Sequence, residues 1–116
     1  MRHSGALEAI DRILNRGGDA DDVLRAVVGV LRERGGYRWA GVSFVEGERV
    51  VLGPHGGEPD EARRTRVAVD FRGRRVAELA VDGASDDDRA FLERVALLIS
   101  SHCVVAWDTG GLPWEP

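Results

Sequence analysis

Apolar residues in the first third of the chain recur at helical spacing. Leu7, Ile10 and Leu14 stand three and four residues apart with charges between them, which predicts a short amphipathic helix ended by Arg16-Gly17-Gly18. Asp19 is placed to cap a second helix through its carboxylate. Val23, Ala26, Val27, Val30 and Leu31 form the stripe of that helix, and Gly35-Gly36 stop it. From Tyr37 the period changes to two. Ala40, Val42 and Phe44 alternate with Trp39, Gly41, Ser43 and Val45; Glu46-Gly47-Glu48 turns the chain, and Val50 to Leu52 return as a second strand. After the Gly-Pro-His-Gly-Gly passage, Val67, Val69 and Phe71 alternate with Ala68 and Asp70. Arg72-Gly73-Arg74 makes a turn, and Ala77, Leu79 and Val81 alternate with Glu78 and Ala80.

Ser85 can cap a last helix, and Asp86, Asp87 and Asp88 occupy its first turn, where the helix dipole favours negative charge. Phe91, Leu92, Val95, Leu98, Ile99 and Cys103 give it a buried face. Residues 1–107 thus read as one domain, and 108–116, DTGGLPWEP, as a tail of turn composition. The order helix, helix, hairpin, loop, hairpin, helix implies an α+β fold, an antiparallel sheet with its N- and C-terminal helices on one face.

Composition narrows the function classes. The chain has 116 residues, 43% hydrophobic and 31% charged, which suits a single soluble domain with a real core. A net charge of −4 argues against general nucleic-acid affinity. All 16 basic residues are arginine, so no lysine amine is present for Schiff-base chemistry. Cys103 is the only cysteine, which excludes a disulfide framework within one chain and fits a reduced, cytoplasmic setting. No apolar run reaches membrane-spanning length.

The stretch YRWAGVSFVEGERVVLGPHGGEP resembles the GAF domain family, and within it the GAF-type free methionine-(R)-sulfoxide reductases. The resemblance rests on the Trp39-Ala40-Gly41 start and the exit from Leu52-Gly53-Pro54 to Pro59. The final segment VAVDFRGRRVAELAVDGASDDDRAFLERVALLIS is also similar to a GAF ending. The likeness implies a minimal GAF-like fold, dimerisation through paired terminal helices, and a ligand side on the sheet. Trp39 matches the substrate-contacting tryptophan of the reductases. Asp82 matches the second of two aspartates on the family's last strand, and Ala80 stands at the first. The departures are larger. Where the reductases carry reactive cysteines and a long excursion over the pocket, Pro59 is followed here by Asp60-Glu61-Ala62-Arg63-Arg64 and the next strand. Sulfoxide reduction needs an attacking thiolate and usually a resolving thiol, and Cys103 alone supplies neither.

The expectation is therefore a non-catalytic regulatory or sensory module with no cofactor and no metal. Its candidate ligand-binding residues are Trp39, Ser43, His55 and Asp82, with an unidentified small molecule, a protein partner or a second copy as ligand. The alternatives are a divergent free methionine-(R)-sulfoxide reductase and a pure interaction scaffold, in which Trp39 fills the space left by the missing excursion. His55 has no Ser or Cys partner nearby to make it a catalytic base. His102 and Cys103, adjacent on a helix, point about 100° apart and do not make one metal site. Arg63, Arg64 and Arg66 read as a solvated surface or an anion grip. Trp107 and Trp114 would cover the open sheet face or lock a dimer, the other reading being a plain disordered end.

Overall fold

The structure, a computed structural model, describes residues 3–114, with side chains as far as Val104. Helix α1 spans Ser4–Arg16 and α2 Ala20–Glu33. Four strands follow: β1 Trp39–Glu46, β2 Arg49–Gly57, β3 Arg64–Phe71 and β4 Arg74–Asp82. Helix α3 spans Arg89–Trp114. The strands form one antiparallel sheet in the order β2-β1-β4-β3.

The alternation along the strands sorts the side chains onto two faces. Ala40, Val42 and Phe44 of β1, Val67 and Val69 of β3, and Ala77, Leu79 and Val81 of β4 join one buried core with the apolar stripes of α1, α2 and α3. Helices α2 and α3 lie on this face of the sheet, and α1 packs against α2. The expected α+β arrangement holds. Among the described residues the opposite face carries no helix, and Trp39, Gly41 and Ser43 belong to it, with Ala80 and Asp82 from β4.

Both hairpin turns have two central residues, and their backbones follow from composition. Gly47 opens the first with φ of 62°. In the second, Arg72 and Gly73 have φ of 53° and 78° between the paired residues Phe71 and Arg74. Such a turn favours Asn at its first central position, whereas arginine there is held in the left-handed region at a cost. Replacing Arg72 with Asn should therefore raise stability by about 0.5–1 kcal/mol, read as a higher denaturant midpoint with an unchanged slope.

The structure departs from the pattern reading at several points. Strand β2 does not end at Leu52 but continues through Gly53-Pro54-His55-Gly56 to Gly57, with an irregularity opposite the Gly41–Ser43 stretch of β1. Strand β3 begins at Arg64, three residues before Val67. Asp19 holds the N-cap position of α2 without a side-chain bond to its first turn. Ser85 does cap the last helical segment, in a capping box with Asp88, but Asp88 does more than cap. It is buried, accepts from the Tyr37 hydroxyl at 3.0 Å and the Ser85 N–H at 3.3 Å, and lies 3.2 Å from the His3 ring nitrogen. Finally, the backbone of 108–114 continues α3 where composition predicts turns. Extending a helix already formed adds a hydrogen bond per residue without a new nucleus, and that offsets poor local propensity. The side chains of Trp107 and Trp114 lie outside the described residues.

Strand order creates a demand on the chain between β2 and β3. These are the two outermost strands, and both meet the crossover at the same end of the sheet, where Gly57, Trp39, Asp82 and Arg64 lie side by side in register. Three strand spacings separate them, about 14 Å. Residues 58–63 can span about 20 Å when extended, so they cross almost directly. They do so along a stitched path. The Glu58 N–H donates to the Arg38 carbonyl at 3.0 Å, a single 3-10 turn covers Glu61–Arg63, and the Gly83 N–H donates to the Arg63 carbonyl at 3.0 Å. A connection this short leaves no length for a roof over the open face.

Candidate functional site

Trp39 begins β1 at the crossover end and lies on the open face, yet only 6% of it is exposed. Its indole packs against Gly41. A Cβ at Gly41 would come within 2.5 Å of the ring, so the glycine of the Trp-x-Gly start makes room for the tryptophan. Above the indole sits the guanidinium of Arg64, 4.0 Å from the ring centroid.

Arg64 is the register partner of Asp82 across β3 and β4. Its Nε donates to Asp82 Oδ1 at 2.7 Å and its Nη2 to Oδ2 at 2.9 Å, a two-pronged pairing. The backbone N–H of Asp60, from the crossover, donates to Oδ2 at 2.6 Å. Asp82 has no exposed surface, and the Arg64 side chain is 12% exposed. The hydrogen bonds from Arg64 hold the Asp82 carboxyl below its ordinary range, outweighing the opposing effect of burial, and the Asp60 N–H adds to the lowering. The same bonds raise Arg64 further above its already high value. Glu61 approaches Arg64 Nη1 at 3.7 Å from the solvent side.

The four expected site residues are only partly brought together. Trp39 and Asp82 are register neighbours across β1 and β4, and Arg64 joins them. His55 stands opposite Gly41 on β2, with its ring 6.2 Å from that of Trp39 and tilted by 34°. It is exposed, and its Nδ1 donates to the Gly53 carbonyl at 2.9 Å. Ser43 lies two residues further along β1, half-buried between Leu52 and Glu78 in register, away from the Trp39–Asp82 pair. Sequence reasoning missed Arg64 as a member of this group. The signal available was positional: a hairpin centred on Arg72-Gly73 carries Arg64 back toward the level of Asp82.

The glycine-rich passage serves packing. A Cβ at Gly53 would meet the Phe44 ring at 2.5 Å, and one at Gly57 would run into the Arg38 carbonyl. Cys103 is fully buried in the helix–sheet core, and desolvation pushes its thiol up to about 12. A half-open groove of about 1070 Å³ lies at the hairpin-tip end of the sheet, lined in part by Glu46, Phe71, Arg74, Val104 and Cys103. It shares no residue with the Trp39 group. Among the described residues, no three His, Cys, Asp or Glu side chains converge as a metal site would require, and no helix is long and apolar enough to cross a membrane.

No family model matches the chain, and no curated protein matches it in sequence. Solved structures match its fold. The GAF domain of an Acinetobacter phosphoenolpyruvate-protein phosphotransferase superposes with a TM-score of 0.72 at 14% identity, over 93% of this chain and 98% of that one. The corresponding GAF domain from Coxiella burnetii gives 0.71 at 10% identity, over 91% and 96%. The chain has a GAF-like fold. The free methionine-R-sulfoxide reductase of Neisseria meningitidis, solved with its substrate, shares that fold with a TM-score of 0.70 at 15% identity, over 90% and 91%. Within this GAF-like fold, the crossover is short and Arg64 fills the space over Trp39.

Proposed function

We propose that this chain is a non-catalytic regulatory module that acts by assembling with a second copy through its terminal helices. Its sheet-face site is closed by its own Arg64. The observation that carries the reading is the fork from Arg64 to Asp82 laid over Trp39. The aromatic face and the carboxylate that a ligand would use are already engaged. The likeness to GAF domains of two phosphotransferases supports a regulatory role. The state of Cys103 supports the absence of reductase chemistry, because a buried thiol with a pKa near 12 offers almost no thiolate at neutral pH. For assembly, the support is Leu97. It is 69% exposed on the outer side of α3, beside exposed Glu93, Arg94 and Ser101, and among the described residues it is the one exposed large apolar side chain on a helix, Val50 and Leu52 being on β2.

Native mass spectrometry of the full chain, purified without added ligand, tests both halves of the reading. The expected result is a dimer of bare mass that Leu97→Glu converts to monomer, through a charge placed in an apolar contact. A monomeric parent chain at micromolar concentration would overturn assembly, and a reproducible extra mass would overturn the closed site. On the chemistry, folded chain should resist thiol alkylation at Cys103 for hours and react once denaturant is added. Turnover of free methionine sulfoxide that vanishes on Cys103→Ser would restore the reductase alternative.

A further inference from the structure

Arg64 stands toward Trp39 and Asp82 as a bound ligand would. A planar cation lies over an indole, two of its nitrogens meet the two oxygens of one carboxylate, and that carboxylate is wholly buried. The third partner, the Asp60 N–H, comes from the crossover four residues before Arg64 and donates to Oδ2, the oxygen that also accepts from Arg64 Nη2. The floor is equally specific, since only a residue without a Cβ at 41 leaves room for the indole. Each element is positioned by something other than Arg64: Trp39 and Asp82 by their register across β1 and β4, and Asp60 by the path of the crossover.

We propose that Trp39, Asp82 and the Asp60 N–H form a recognition site for a guanidinium group, and that Arg64 is a tethered occupant that keeps it filled. The geometry selects that chemistry. A guanidinium presents a flat face to the indole and a fork of parallel N–H donors to the carboxylate at once. An ammonium supplies the charge but neither the plane nor the fork. Anions are excluded by Asp82 itself. Tethering accounts for the closed state: a side chain anchored at the rim has an effective concentration of at least millimolar order, so a free cation competes poorly with it. Removing the Arg64 side chain should turn an internal contact into a binding site for the free group.

The test is thermal unfolding of the full chain with methylguanidinium as probe, in 0–50 mM steps at constant ionic strength. The parent chain is compared with Arg64→Ala and with Arg64→Ala/Asp82→Asn, and methylammonium serves as the second probe. In Arg64→Ala, methylguanidinium should raise Tm saturably by about 4 °C or more, as a ligand bound only by the folded state does. The parent and the double variant should move by less than about 1 °C under the same conditions. If Arg64→Ala is unfolded at the starting temperature, recovery of its helical circular dichroism on adding methylguanidinium is the same positive result. No shift and no recovery in that variant would overturn the proposal. So would an equal response in the double variant, or an equal response to methylammonium. The outcome is independent of the assembly reading, because subunit number is read by mass and this site by a ligand-dependent Tm.

Discussion

Replacing Arg64 with alanine, without added cation, should destabilise the chain by about 3–5 kcal/mol at neutral pH. The size follows from what is left behind. Asp82 has no exposed surface, so without the guanidinium its negative charge stays buried with one backbone N–H as partner. The lost stack over Trp39 adds about 0.5–2 kcal/mol within that total. The pH dependence separates charge from packing. In the parent chain the folded pKa of Asp82 is depressed, so its contribution is fully present above the ordinary carboxylate pKa and is lost as pH falls through the depressed folded value. In the variant the largest lowering cause, the Arg64 pairing, is gone, and only the Asp60 N–H and the charge of Arg66 still oppose burial, so protonation costs the fold less. The stability gap between the two chains should narrow as pH falls below about 4, measured by urea unfolding at stepped pH. A gap that stays constant from pH 7 to pH 3 would mean that Arg64 contributes through packing alone.

Gly57→Ala should be nearly as damaging, at about 2–5 kcal/mol. Gly57 has φ of 104°, which an alanine adopts only under strain, and its new methyl would collide with the Arg38 carbonyl. That carbonyl cannot simply yield, because it accepts the Glu58 N–H that starts the crossover. Gly36→Ala is the matching control. Gly36 also has a positive φ, 76°, but a Cβ there meets nothing within 4 Å, so only the conformational cost of about 1–2 kcal/mol applies. Denaturant midpoints of the two variants should differ clearly. Equal losses would mean that backbone conformation, and not the close approach to Arg38, is why glycine stands at 57.

The fold was legible where side-chain period and burial coincide. The stripe through Val23, Val27 and Leu31, and the alternation through Ala40, Val42 and Phe44, are visible in sequence because the core wants them apolar. What was hidden depended on position across the sheet. Nothing local to Arg64 marks it as buried; an arginine in an arginine-rich turn looks solvated until β3 is paired with β4 and the crossover is drawn across the end of the sheet. The polar start of β3 concealed the strand for the same reason, since Arg64 and Arg66 face the side without helices. Of the expected site, Trp39 and Asp82 could be matched by wording and do meet. Ser43 was grouped with them by strand face and His55 by its place in the Gly-Pro-His-Gly-Gly passage, and neither fixes distance along a strand. Asp88 was read as a helix-start residue, which it is by position, but its contacts with Tyr37 and His3 bury it.

The crossover between β2 and β3 has a consequence for how copies of this chain can meet. Because it joins the two outermost strands, both lateral margins of the sheet present backbone groups with no neighbouring strand in the described structure. Such margins invite strand addition and, beyond it, aggregation. Each carries an obstacle. On β2, Pro54 has no N–H to offer a new strand, and on β3, charged Arg66 and Asp70 line the margin. Growth of the sheet from chain to chain by strand addition is thus discouraged on both sides.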